Sequence, residues 1–80
     1  MVMVTVQYFA SLREAAGLSK ETLDTKTTTL GELFDEVTTK YKTPLKREQV
    51  KFAIGDEFCL PQTHFKEGDH ILMMPPVSGG

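Results

Sequence analysis

The chain has 80 residues, 9 basic and 11 acidic side chains, and a formal net charge of −2. A chain of this length forms one domain with a thin core, which leaves little room for an enclosed active site. This acidic balance disfavours a nucleic-acid-binding protein, whose surface normally carries an excess of Lys and Arg. No apolar run reaches the roughly 20 residues of a membrane span. The first residues lack the basic start of a signal peptide, so we expect a cytoplasmic protein.

The beginning of the chain predicts a strand and a short helix. Residues 2–9 alternate with period two and are rich in Val and aromatic residues, which is typical of a strand. Apolar residues occur on both of its faces, as in a strand at the centre of a sheet. The segment from Ser11 to Glu14 fits a capping box, with Ser11 as the N-cap, and Gly17 can end the helix.

A polar strand and an amphipathic helix follow. Residues 21–26 alternate around Leu23 and predict an exposed or edge strand. The segment from Thr29 to Glu32 is a second capping box, and Pro44 should end the helix that it begins. Apolar residues at helical spacing form one stripe, which should lie across a sheet. The stripe consists of Leu30, Leu33, Phe34, Val37 and Tyr41.

Three more strands are predicted in the last third of the chain. One runs over residues 50–54 to a Gly-Asp turn, and residues 58–60 form a short strand after it. Residues 61–67 form a loop, and a second Gly-Asp turn leads to a continuous apolar strand over residues 70–74.

This order of elements predicts an α+β fold. The first and last strands are the most apolar, so we place them side by side and parallel at the centre of the sheet. The predicted architecture is a β-grasp, ubiquitin-like domain with a mixed sheet of about five strands and one main helix packed across it.

The sequence offers few candidate catalytic residues. Cys59, His64 and His70 lack the spacing of metal ligands, and nothing forms a set of nucleophile, base and orienting group. A small, partly buried packing residue is the simpler interpretation of Cys59. We therefore expect no metal and no cofactor bound by this chain.

The last six residues are the most informative segment. Pro75 and Pro76 stiffen the exit from the last strand and favour extended geometry. Gly79 and Gly80 carry no side chains, so the segment is thin enough to thread a narrow channel and present the α-carboxylate of Gly80. We predict a β-grasp domain over residues 1–76 and a flexible C-terminal Gly-Gly tail over residues 77–80.

Two segments carry a resemblance to a known family. They are the ending from Gly68 to Gly80 and the strand and short helix from Val6 to Gly17. Together with the rest of the chain they resemble the small subunit of molybdopterin synthase, a ubiquitin-like sulfur carrier. The departures are mild: many members carry Asn in the turn at Ile54-Gly55-Asp56, and aromatic residues at Met73 and Met74.

The resemblance implies a sulfur carrier in molybdenum cofactor biosynthesis. An E1-like enzyme would use ATP and Mg²⁺ to adenylate Gly80, and a sulfur-donor protein would convert the adenylate to a thiocarboxylate. The sulfur would pass to cyclic pyranopterin monophosphate on the large subunit of molybdopterin synthase, in a heterotetramer of two small and two large subunits. This chain would be the non-catalytic, sulfur-donating subunit of that transferase.

The resemblance also implies roles for individual residues. Gly80 would be the attachment site and Gly79 would allow the tail to thread into partner sites. The residues that would contact a partner are Phe9, Phe58, Met74, Pro75, Pro76, Val77 and Ser78.

Other functions remain open. A carrier for thiamin synthesis or tRNA thiolation, or a ubiquitin-like modifier, would share the Gly-Gly ending, although the Pro-Pro-Val-Ser spacer resembles the molybdopterin carrier more. A β-grasp interaction module without covalent chemistry would keep its function when Gly79 and Gly80 are deleted. An independent enzyme is disfavoured because no catalytic set is present.

Overall fold

The computed structural model describes residues 1–76. The helices and strands follow the predicted order, with small shifts of their ends. They are β1 (Val2–Tyr8), α1 (Ala10–Ala16), β2 (Lys20–Thr25), α2 (Leu30–Tyr41), a single 3₁₀ turn (Arg47–Gln49), β3 (Lys51–Ile54), β4 (Glu57–Cys59) and β5 (His70–Met74). The strand before the loop is shifted by one residue from the predicted 58–60, because β4 includes Glu57 and excludes Leu60.

The five strands form one mixed sheet in the order β2-β1-β5-β3-β4. The central pair, β1 and β5, is parallel, and Tyr8 lies opposite Met73. The other three pairs are antiparallel. The predicted β-grasp arrangement, with the first and last strands side by side, is confirmed. The polar strand β2 is an edge strand, as its composition indicated.

One face of the sheet is covered by α2, and the core lies between them. The Phe34 ring of α2 meets the Phe52 ring of β3 edge to face, with centroids 5.7 Å apart. Burial of these apolar side chains is the main stabilising contribution to the fold. Those least exposed are Val4, Val6, Tyr8, Leu12, Leu30, Leu33, Phe34, Val37, Phe52, Ile71 and Met73.

The predicted capping box of α2 is confirmed. The hydroxyl of Thr29 accepts from the Glu32 amide, and the Glu32 carboxylate accepts from the Thr29 amide. Hydrogen bonds from Thr28 and Thr29 hold the pKa of Glu32 below its usual value, with the bond from the Thr28 amide as the largest cause. The helix ends at Tyr41, and Lys42 follows in a left-handed conformation, two residues before Pro44.

The predicted capping box of α1 is wrong. The N-cap is Phe9, without a side-chain cap, and Ser11 lies exposed within the first turn. The chain leaves β1 through a left-handed Ala10 (φ +51°), so that Leu12 and Arg13 both donate to the Phe9 carbonyl. The end at Gly17 is confirmed, since its φ is +78° and its amide donates to the Arg13 carbonyl.

No helix within residues 1–76 is long and apolar enough to cross a membrane.

Candidate functional site

The side of the sheet that faces away from α2 carries a row of neighbouring side chains. Leu72 of β5 pairs with Gln7 of β1 on one side and with Ala53 of β3 on the other, and Ala53 pairs with Phe58 of β4. Since alternate residues of a strand point to opposite faces, and their neighbours Ile71 and Phe52 are buried in the core, these four share the uncovered side. We call this side the open face.

A second row lies next to the first, towards the end of β5. Met74 pairs with Lys51 of β3. Phe9 follows Tyr8, the partner of Met73, and keeps an extended backbone (φ −129°, ψ 155°), so the register places it beside Met74. The open face therefore brings together three predicted contact residues, Phe9, Met74 and Phe58.

These three residues differ in exposure. Phe58 is 71% exposed, whereas Phe9 and Met74 are each half-buried. Phe58 therefore offers the most apolar area to a partner, and the other two side chains divide their contacts between the sheet and solvent.

The predicted tail begins at the same end of the open face. Pro75 is buried and Pro76 is exposed, so Pro76 has the more accessible surface of the two. The other predicted tail and contact residues, Val77, Ser78, Gly79 and Gly80, lie outside the described residues.

Two hollows flank this end of the open face. The first, of about 390 Å³, is lined by the 3₁₀ turn, Lys51 of β3, Phe58 of β4 and the Leu60-Pro61 segment. The second, of about 360 Å³, lies between the 3₁₀ turn and the Met74-Pro75-Pro76 segment. Lys51 and Glu48 line both hollows and lie where they meet.

The 3₁₀ turn is held in place by Arg47. Its Nη2 and Nε lie 2.6 and 3.2 Å from the two carboxylate oxygens of Asp35 on α2. The guanidinium lies against Gly31, where an added Cβ would come within 2.8 Å of Nη1. The absence of a side chain at Gly31 thus allows Arg47 to tie this wall of the hollows to the helix.

The candidate catalytic residues take part in packing, in a β-bridge or in a side-chain contact. The thiol of Cys59 is partly buried against the core, and His64 joins Thr29 in an isolated bridge. The His70 Nε2 lies 3.0 Å from the Gln7 amide oxygen. Within residues 1–76, no three His, Cys, Asp or Glu side chains come together as a metal-binding group.

One polar cluster, which surrounds Glu21, was not predicted from the sequence. The hydroxyls of Tyr8 and Tyr41 donate to Glu21 at 2.5 and 2.6 Å, and the Lys40 ammonium lies 3.3 Å from the same carboxylate. Burial raises the pKa of Glu21, but the bonds from Tyr41, Tyr8 and Lys40 outweigh it and lower that pKa overall. Burial, followed by Glu21, raises the pKa of Tyr8. Glu21 occupies the same side of β2 as the buried Leu23. A carboxylate on the inward side of a predicted strand is the sequence signal that could have indicated this cluster.

Known proteins show the same fold and a related sequence. The model of the ThiS family matches residues 6–80. A molybdopterin synthase sulfur carrier subunit of Drosophila sechellia is 33% identical over 84 residues, which cover this whole chain and 93% of the relative. Because the family match extends to Gly80, it includes the four residues that follow the described part of the structure.

Two solved structures are similar along almost their whole length. The small archaeal modifier protein 1 of Methanosarcina acetivorans is 27% identical with a TM-score of 0.77, covering 100% of this chain and 98% of that one. Subunits 1 and 2 of the molybdopterin-converting factor of Helicobacter pylori form a protein–protein complex. A chain of that complex is 28% identical with a TM-score of 0.66, covering 99% of this chain and 100% of that one.

Proposed function

Because the chain belongs to the ThiS family, we propose that it carries sulfur to the large subunit of molybdopterin synthase as a thiocarboxylate on Gly80. The related carrier subunit of Drosophila sechellia supports the sulfur-carrier role. The related complex of Helicobacter pylori supports a second subunit as the partner.

The observation that carries the proposal is the position of the tail exit. The central strand β5 ends at Met74 on the open face, and Pro75 and Pro76 lead the chain away beside a hollow. A partner that covers the apolar rows would thus lie next to the first residue of the tail. Docking and presentation of the carboxylate are then parts of one binding event.

Activation of Gly80 needs chemistry that a free carboxylate lacks. Its negative charge repels nucleophiles, and oxide is a poor leaving group. In our proposal an E1-like enzyme uses ATP and Mg²⁺ to form the Gly80 acyl-adenylate and releases pyrophosphate. Hydrosulfide supplied by a sulfur-donor protein then attacks the acyl carbon and displaces AMP, which leaves the thiocarboxylate with an ionised, nucleophilic sulfur.

The proposal assigns catalysis to the large subunit. In the described residues Cys59 packs against the core and the His70 imidazole contacts Gln7, so in our proposal residues 1–76 dock on the partner and position the reactive tail. The large subunit would bind cyclic pyranopterin monophosphate and accept one sulfur from each carrier. Two carriers and two large subunits would form the cytoplasmic heterotetramer.

Intact mass spectrometry tests the covalent step. The chain is incubated with an E1-like enzyme, ATP and a sulfur-donor protein, and exchange of one oxygen for sulfur should add about 16 Da at Gly80. Omission of ATP is the matched control. The thiocarboxylated chain should then convert the precursor when it is mixed with the large subunit. An unchanged mass in the complete reaction would contradict the carrier function.

A second destination for the activated tail is attachment to other proteins. The 27% identity with a small archaeal modifier protein over this whole chain favours it as a candidate. Activation would be the same, but a lysine amine would attack the adenylate and form an isopeptide. Conjugates containing a Gly-Gly remnant on lysine, without formation of the thiocarboxylate, would select this function instead.

A further inference from the structure

Lys51 is a charged side chain in an otherwise uncharged part of the open face. The registers place Met74 beside it on β5, and Ala53 follows two residues later on β3. Phe58, opposite Ala53, and Leu60 line the same hollow as Lys51 and are 71% and 63% exposed. The Lys51 side chain therefore lies beside apolar side chains at the end of the face where the tail begins, with Glu48 of the 3₁₀ turn lining the same two hollows.

Lys51 takes no part in an ion pair within the described residues. The two ion pairs within residues 1–76 join Lys40 to Glu21 and Arg47 to Asp35. Charged residues of the open face recur only on the far edge strand, where Lys20 and Asp24 pair with residues of β1. Among the central strands of the open face Lys51 is thus the charged side chain, while Glu48 and Arg47 of the adjoining 3₁₀ turn line the hollow beside it without pairing with it.

Covering this surface has a predictable electrostatic consequence. A partner that buries Leu72, Met74 and Phe58 also removes water from Lys51, which pairs with Met74 and lines a hollow with Phe58. An ammonium that loses water without gaining a counter-charge is strongly unfavourable. Because Glu48, which lines the same hollows, does not pair with Lys51 in the isolated chain, a well-matched partner would place a carboxylate against Lys51.

We propose that Lys51 binds a carboxylate of the molybdopterin synthase large subunit and thereby sets how that subunit docks on the open face. The inference rests on the proposed function, which supplies the partner, and it adds the chemistry of the contact. The ion pair would stand between the two hollows, next to Pro75 and Pro76. A displaced ion pair would shift the start of the tail relative to the partner's reaction site.

Charge also distinguishes this partner from a second copy of the chain. Two copies packed about a two-fold axis through this surface would bring their Lys51 ammoniums towards each other. Like charges facing across an apolar contact are unfavourable. The surface is therefore better suited to a different protein that offers an acidic side chain within an apolar patch.

Binding measurements with the purified large subunit test the inference. In Lys51→Met the uncharged stem is kept, and the partner's carboxylate is left without its counter-charge, so affinity should fall by about tenfold. In Lys51→Glu two carboxylates oppose each other, and affinity should fall by about a hundredfold. Added salt should weaken the wild-type complex more steeply than the Lys51→Met complex.

The matched control is Lys26→Glu, which makes the same change in net charge at an exposed site that lines a groove with Glu32 and Asp35 of α2. Its affinity should stay within about twofold of wild type. Melting curves of all variants should match, because both lysines are exposed. Wild-type or tighter binding of Lys51→Met would overturn the inference.

Two further measurements separate this inference from the proposed function. If Phe58→Asp abolishes binding while Lys51→Met does not, the open face docks the large subunit without the ion pair. If the chain gains its thiocarboxylate but neither change affects binding, docking occurs elsewhere and the inference fails while the carrier function stands. Self-association of the isolated chain that Lys51→Glu abolishes would assign the surface to a second copy and overturn it as well.

Discussion

Phe52 and Phe58 show how one residue type serves opposite purposes in neighbouring strands. Phe52 is 1% exposed and packs edge to face on Phe34, whereas Phe58 is 71% exposed on the open face. Both lie in the β3–β4 hairpin, where Phe52 pairs with Cys59 and Ala53 pairs with Phe58. A single step in register therefore separates a core side chain from one available to a partner.

We expect very different effects when each ring is removed. Phe52→Ala should reduce the free energy of unfolding by about 3–5 kcal/mol, because it leaves a cavity under α2. Phe58→Ala should change it by less than about 0.5 kcal/mol, yet weaken binding to the large subunit. Urea denaturation and a binding titration measure the two effects. An equal loss of stability in both variants would place Phe58 in the core.

The local sequence pattern predicted the exposure of Phe58 better than that of Phe9 and Met74. Phe58 stands next to a Gly-Asp turn, and its exposure follows from that position. The half-burial of Phe9 and Met74 depends on the register of β1 against β5 and of β5 against β3, which is set by distant pairing. No alternation within either strand contains that information.

At the scale of elements, Glu21 joins three parts of the fold. Its carboxylate, on β2, receives hydrogen bonds from Tyr8 at the end of β1 and from Tyr41 in the last turn of α2. Lys40, also in α2, adds an ion pair. The contacts hold the end of the helix against the edge of the sheet.

The pKa of Glu21 predicts how this junction depends on pH. The pKa is lower in the folded chain than its ordinary value of 4.5, so folding favours the charged form. The resulting stability is present above the unfolded pKa and is lost as pH falls through the folded pKa. Glu21→Gln should therefore cost about 1–2 kcal/mol at neutral pH, and the difference from wild type should shrink in acid.

Urea denaturation at neutral pH and at about pH 3 tests this expectation. Glu14→Gln, at an exposed site on α1, is the matched control and should behave as wild type at both values. A cost for Glu21→Gln that is the same in acid would show that the stabilisation comes from packing and not from the charge.

The two helices show where sequence signals suffice for an element. In α2 the cap, the apolar stripe and the end all indicate the same span, and the structure agrees. In α1 the pattern at Ser11 is locally satisfactory but loses to a tertiary requirement. The chain must turn at Ala10 directly after β1, so that Leu12 enters the core. The short helix follows the packing rather than its own capping signal.

For the whole molecule, composition and the order of elements were enough to predict the β-grasp sheet. The apolar residues on both sides of the segments 2–9 and 70–74 identified the two central strands, although in the structure only one side of each strand is buried and the other belongs to the open face. The sequence did not reveal how residues 61–67 are held. The Leu30 and Gly31 amides of α2 donate to carbonyls in this segment at 3.0 and 2.8 Å, a contact between distant parts of the chain.

Deletion of the C-terminal glycines should separate folding and docking from sulfur transfer. Deletion of Gly79 and Gly80 should leave the free energy of unfolding within about 0.5 kcal/mol of wild type, because the sheet and core lie in residues 1–76. The variant should still bind the large subunit through the open face but should fail to transfer sulfur. Denaturation, titration and product formation are the three measurements. Transfer by the truncated chain would support a non-covalent interaction module.

The parallel pairing of β1 with β5 has a consequence for biosynthesis. During translation β1 can pair with its central neighbour only after His70 to Met74 have left the ribosome. Until then the sheet has a gap in its middle, and contacts so far apart in sequence form late. The strand that closes the gap is also the one that leads to the tail. A chain that lacks β5 therefore has neither a closed sheet nor the segment that leads to the tail.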